Sequence, residues 1–222
     1  MKKKSAFTLI ELLVVISIIL IASSIVFIGG SGGDGAKLSS AQRIVSGIAQ
    51  GARGQAILNG AKSRLIIYSD NSANNDDEKK LRFFGIIYEE LDLNGDPTGS
   101  WYAATQGTYL PEGIYFNPSP KLYEDWSPLS NVIKIDYPLR IAQGAGTGEL
   151  YYYYEFNSNG TMATGFDNNW LVLQAGTLKP ENGALKVDFS EPKNEGLQAA
   201  LIFRRVGTAT LVKNPSDIPN LD

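Results

Sequence analysis

With neither cysteine nor histidine among its 222 residues, the chain must build any chemistry from carboxylates, amines, hydroxyls and tyrosines. That removes disulfides, thiolate or imidazole zinc sites and every histidine-based triad. Few candidates remain. Glu11 is a lone acid inside an apolar run. Asp92, Asn94 and Asp96 set three oxygen ligands at alternate positions, as at the start of a calcium loop. Pro97 stands where such a loop needs glycine, and Ala103 where it needs a bidentate glutamate, so the expected structure is a tight Asn94-Gly95 turn between strands. Arg204-Arg205 is a weak nucleic-acid candidate: on a strand its members face opposite ways, and the tail "NPSDIPNLD" is acidic. Glu89-Glu90 and Glu124-Asp125 are adjacent acids, which cannot converge on one substrate from a strand. No catalytic residue, cofactor, resident metal or nucleic-acid partner is expected.

The setting of Glu11 is more informative. Phe7 to Gly29 forms a stretch of 23 residues whose polar members are Thr8, Glu11, Ser17, Ser23 and Ser24. A bilayer span needs roughly 20 apolar residues, and a carboxylate at its centre costs about 2.5 to 3.5 kcal/mol. Lys2, Lys3 and Lys4 precede it, the basic flank expected on the cytoplasmic side. They are three of the 20 basic residues, so the chain from Phe7 onward sets 17 basic against 23 acidic residues and offers nucleic acid no general attraction. Glu11 lies an i,i+4 step from Phe7, about 6 Å along a helix, where the macrodipole favours negative charge. A secretory signal with cleavage near Ala22-Ser23-Ser24 fits less well, because the apolar run continues through Ile25, Val26, Phe27 and Ile28.

"GGSGGDG", Gly29 to Gly35, contains matches to a dinucleotide fingerprint and to a nucleophile elbow, but no strand precedes it and no histidine exists. It reads as a flexible break. Helical periodicity then places Ala41, Ile44, Val45, Ile48, Ala49 and Ala52 on one face and Gln42, Arg43, Ser46, Gln50 and Arg53 on the other. The expected helix runs from about Leu38 to Asn59, capped by Ser39 or Ser40 and stopped by Gly60. Strands are expected over Arg64 to Ser69, Leu81 to Leu91, Val132 to Leu139, Glu149 to Phe156, Trp170 to Gly176, and Ala200 to Val212 with a hairpin at Gly207. The stretch from Gly99 to Pro128 reads as an excursion. Tyr151 to Tyr154 should alternate, two tyrosines in the core and two on the surface. The fold class is therefore α+β, a long N-terminal helix on an antiparallel sheet.

The stretch "KKKSAFTLIELLVVISIIL" resembles the N-terminal signal of type IV pilins and type II secretion pseudopilins: a basic leader, a small residue, Phe-Thr-Leu-Ile-Glu and an apolar helix. The resemblance implies cleavage by a prepilin peptidase between Ala6 and Phe7, methylation of the Phe7 amine, and use of Phe7 and Glu11 in assembly. Ala6 departs from the glycine usual there. The segment "AQRIVSGIAQGARGQAILNGAKSRLIIYSD", with Ala52-Arg53, together with "YEFNSNGTMATG" and "ALIFRRVGTATLV", is similar to minor pseudopilins of the GspH/FimT type. The implied organisation is a leader over 1–6, a membrane and filament-core helix over 7–29, a glycine-rich break over 30–37 and a globular domain over 38–222. The implied role is a non-enzymatic subunit of a pseudopilus or pilus-like filament. Its partners would be the prepilin peptidase, other pilin subunits and the bacterial inner membrane, with the body in the periplasm. The rival reading is a single-pass membrane-anchored binding module or hydrolase.

Overall fold

The computed structural model describes residue 10 and residues 13–17, 33–69, 76–120, 130–163, 170–181 and 183–215. Its long helix, α1 (Gly33–Asn59), begins five residues before the expected start, inside the stretch expected to break the chain. Glycine costs about 1 kcal/mol relative to alanine in a helix. Against this, Asp34 brings a negative charge to the first turn and pairs with Lys37 at 3.1 Å. Leu38, Ala41, Val45, Ala49, Ala52 and Ala56 form the buried face. Four of the six are alanine, which lets the helix axis come close to the strands below it. Gly60 stops the helix as expected, at φ +61°.

Thirteen strands follow among the described residues: β1 (Ser63–Tyr68), β2 (Phe83–Leu91), β3 (Pro97–Ala103), β4 (Thr108–Tyr109), β5 (Ile114–Asn117), β6 (Val132–Ile135), β7 (Gln143–Gly144), β8 (Glu149–Phe156), β9 (Trp170–Ala175), β10 (Thr177–Glu181), β11 (Ala184–Asp188), β12 (Gln198–Phe203) and β13 (Ala209–Val212). They make a large sheet in the order β6-β8-β1-β2-β3-β7, with β4 also on β2, a smaller sheet β13-β12-β9-β5, and the β10-β11 hairpin. The registered pairs are antiparallel. The expected α+β architecture with antiparallel sheets is present.

One core lies where α1 and the two sheets meet, built from Leu65 and Ile67 of β1, Phe84 and Ile86 of β2, Leu171 and Leu173 of β9, and Leu201 and Phe203 of β12. Tyr154 and Phe203 touch across it with ring centroids 4.7 Å apart. A second core covers the opposite face of the large sheet: Ile66, Tyr68, Phe83, Ile87, Trp101, Ile133, Ile135, Tyr137 and Tyr151. This second layer changes the expectation for the tyrosine run. Tyr151, Tyr152 and Tyr154 are buried and Tyr153 is half-buried, because both faces of β8 are covered. The strand expected over Val132 to Leu139 ends at Ile135, and the chain then lays Tyr137 over Gly85, leaving no room there for a Cβ. The excursion after Gly99 contains β3, β4 and β5.

Candidate functional site

The N-terminal candidates Ala6, Phe7 and Glu11 lie outside the described residues. Of the same stretch, Ile10 and Leu13 to Ser17 are helical, and Ser17 Oγ donates to the Leu13 carbonyl at 2.8 Å. Ile10, Leu13, Val14, Val15 and Ile16 are between 45% and 71% exposed. Consecutive aliphatic residues pointing all round a helix need an apolar environment outside the body of the molecule. Among the described residues no helix is long and apolar enough to cross a membrane. The run from Phe7 to Gly29 falls mostly outside them.

In the body, three stretches far apart in sequence converge on Arg53. Its Nε donates to the carbonyl of Gly160 at 3.1 Å. Gly160 ends the Asn159-Gly160 dipeptide of the turn after β8, at φ +79°, and a Cβ there would press on Ile57 and Arg53. Gly207, in the hairpin turn between β12 and β13, also sits at φ +79°, and a Cβ there would overlap the Gly160 carbonyl. Met162 donates its N–H to the Arg205 carbonyl at 2.9 Å, closing the contact between the two turns. The helix, the first turn and the closing hairpin thus form one junction, with Ala52 fully buried beside it.

Residues 1–27 match the family model described as the prokaryotic N-terminal methylation motif. The N-terminus carries that methylation motif. A search of solved structures returns the minor pseudopilin EpsH from the Type 2 Secretion System of Vibrio cholerae, at 13% sequence identity, covering 79% of this chain and 96% of that one with a TM-score of 0.38. That score is too low to establish a shared fold. No curated protein matches the chain significantly.

The remaining candidates are held in structural roles. Asp92 Oδ1 accepts the N–H groups of Asn94 at 2.8 Å and Asp96 at 2.9 Å, so the calcium candidate is the β2-β3 hairpin turn. These backbone donors, that of Asp96 foremost, hold the Asp92 carboxyl below its ordinary pKa of 3.8. Arg204 and Arg205 lie in the hairpin turn just past β12 instead of on opposite faces of a strand. Glu90 accepts from Thr98 Oγ1 at 2.8 Å and from the Tyr102 hydroxyl at 3.0 Å, a cross-strand pairing that leaves Glu89 out. Glu124 and Asp125 lie outside the described residues.

Two arrangements carry no advance signal in the residue types. Gln42, expected on the polar face, is buried, and its Nε2 donates to the carbonyls of Ala200 at 2.7 Å and Val212 at 2.9 Å. Arg64 lies between the rings of Trp101 and Tyr153, 4.0 Å from each centroid, with its Nε 2.7 Å from Glu155 Oε2. An open groove of about 680 Å³ runs beside β9 and the loop after β11. Two of its carboxylates, Asp188 and Glu191, take the Lys179 ammonium at 2.6 and 3.1 Å. The hydrogen bond from Lys179 leads the causes that hold Asp188 well below the carboxylate range.

Proposed function

We propose that this chain is a structural, non-enzymatic subunit of a type II secretion pseudopilus or a type IV pilus-like filament, of the minor pseudopilin kind. The observation that carries the reading is the methylation motif over residues 1–27, running into a helical stretch whose aliphatic residues are exposed. A prepilin peptidase cuts between Ala6 and Phe7 and the new Phe7 amine is methylated. The apolar stretch first anchors the chain in the inner membrane, body outward, and then enters the filament. Glu11, one helical turn from Phe7, pairs with the amine of a neighbouring subunit where little water reaches.

Mass spectrometry of the mature N-terminus tests the reading. A chain beginning at methylated Phe7 supports it. A chain retaining Met1 replaces it with a membrane-anchored module. Ala6→Leu should block cleavage and leave the precursor in the membrane. Glu11→Val should insert and be processed as before, yet enter filaments poorly, because a neighbour's amine is left unpaired at a cost of about 3 to 5 kcal/mol. Co-assembly at the unsubstituted level would remove the amine–carboxylate pair from the mechanism.

A further inference from the structure

The open groove beside β9, about 680 Å³, falls within the range of small-molecule sites, roughly 300 to 1,000 Å³. Its floor is the face of the smaller sheet opposite Leu171 and Leu173, where Asn117, Gln174 and Gln198 bring three amides together from β5, β9 and β12. The register sets Gln198 directly across from Gln174. Asn117 Nδ2 donates to Gln174 Oε1 at 2.8 Å, while Asn117 Oδ1 accepts the Ser119 N–H at 3.0 Å. These bonds fix which end of the Gln174 amide is free. Its Nε2 has no hydrogen-bond partner among the described residues, and neither end of the half-buried Gln198 amide has one.

The wall of the groove is the loop after β11. Phe189, half-buried, sets its ring edge beside Gly176 and lines the groove. Asp188, Glu191 and Glu195 add carboxylates. This composition selects among ligands. Three acids repel an anion. A cation finds two of them already taken by Lys179, which leaves Glu195 as the acid without an ion pair among the described residues. An extended peptide finds no strand edge to join, because β9 is paired on both sides, by β5 and β12. Neutral hydroxyls fit. Each one donates and accepts, which matches a mixture of amides and carboxylates, and the C–H face of a sugar ring suits the negative face of an aromatic ring.

We propose that this groove binds a neutral oligosaccharide. Gln174 Nε2 donates to a ring hydroxyl, the Gln198 amide donates and accepts, Glu195 accepts, and Phe189 meets the C–H face of a sugar ring. A groove this open gives weak binding, with a dissociation constant of about 1 mM. The site belongs to the body and goes beyond the filament reading, since it requires nothing of the N-terminal stretch.

Binding is measured on the full-length chain in a polyether detergent, which carries no sugar headgroup. The probes are cellohexaose, maltohexaose and chitohexaose, followed by isothermal titration and by saturation transfer from protein to sugar protons. At least one should bind saturably below about 10 mM, and which one binds tells a plain glucan from an acetamido sugar chain. Gln198→Leu and Gln174→Leu should each weaken that binding by about tenfold, the worth of one or two hydrogen bonds. Gln198→Leu removes no side-chain bond within the described residues, so the fold should be kept, and an unchanged melting temperature checks it. Lys134→Gln, on β6 and outside the groove, should leave binding as it was. Raising NaCl from about 0.05 to 0.5 M should change little, because the ligand carries no charge. No saturable binding of any of the three sugars overturns the proposal, as does binding that Gln198→Leu leaves intact. A hexalysine peptide that binds instead, and is released by salt, makes the groove a cation site and overturns it too. The N-terminal assay separates the two readings. Chains beginning at methylated Phe7 that bind no sugar keep the filament and lose this site; chains retaining Met1 that bind sugar keep the site and lose the filament.

Discussion

Two turns of this molecule are built alike and placed differently. In Asp92–Asp96 and in Asn157–Thr161 the first residue donates its N–H to the carbonyl of the fifth, and the glycine at the fourth position donates back to the carbonyl of the first. Each closes through a side-chain oxygen: Asp92 in one, Asn159 on the Thr161 N–H in the other. Gly95 and Gly160 both take positive φ, +86° and +79°, as expected of a type I turn followed by a left-handed residue. The Arg204–Thr208 turn repeats the pattern, with Gly207 as its fourth member. What separates them is the space outside. Nothing stands within 4 Å of a Cβ built at Gly95, whereas Gly160 and Gly207 face each other and Arg53. The same local chemistry thus makes an exposed tip in one place and a tight joint in another.

Substitution should rank the three. Gly207→Ala should cost most, about 3 kcal/mol or more, because the left-handed conformation is strained and the Cβ meets backbone oxygen, which cannot move aside cheaply. Gly160→Ala adds the same strain to a clash with the Ile57 side chain and should cost about 2 to 3 kcal/mol. Gly95→Ala has only the strain, about 1 kcal/mol, or roughly 2 to 4 °C in melting temperature for a chain of this size. Thermal melts of the three variants check the order. Equal losses at Gly95 and Gly160 would mean that the joint contributes nothing beyond its turns.

The smallest effects belong to the exposed turn. Asp92 is held below its ordinary pKa of 3.8, so its contribution is present above that value. It is lost as the pH falls through the lower, folded-state pKa. Asp92→Asn should flatten the acid limb of the stability profile slightly and leave the neutral limb in place. Calcium should leave the melting temperature nearly unchanged, since Asp92 Oδ1 already serves two backbone donors. A saturable rise that disappears in Asp92→Ala would return this turn to the metal candidates.

The sequence made most of the sheet legible because its strands advertise themselves. β1, β2, β8 and β9 are runs of branched and aromatic residues bounded by turn residues, and both faces of the large sheet are covered. β4 and β10 carry no such signal, being short or rich in Pro, Lys, Glu and Thr, and β3 is signalled only by the Asn94-Gly95 turn before it. The Asn182-Gly183 dipeptide was an available signal for the β10-β11 hairpin. The helix starts earlier than glycine's propensity implies, and the added residues Gly33 to Lys37 bury nothing; the Asp34–Lys37 pair is what acts there. Gln42 departs from the periodic pattern because periodicity sorts residues by polarity, while here a polar side chain satisfies two strand carbonyls in the interior. At the junction, the Ala52-Arg53, Asn159-Gly160 and Arg204–Gly207 stretches could each be noted. That they meet depends on strand order, which local spacing does not contain.

The way α1 is fastened bears on how the body would respond to a pull. Gln42 ties the helix to β12 and β13, Ser63 Oγ ties the Ala52 carbonyl to β1 at 2.5 Å, and Arg53 ties it to the turn after β8. From Gln42 to Arg53 these anchors span eleven residues, about 16 Å of helix axis. They reach both sheets. Tension applied at the N-terminal end of α1 is therefore shared among several anchors along the helix. The alanine face between them lets the helix lie close to the strands, keeping each lever arm short. A force applied at the start of α1 would reach the body distributed over two sheets, and the domain would follow α1 as a single object.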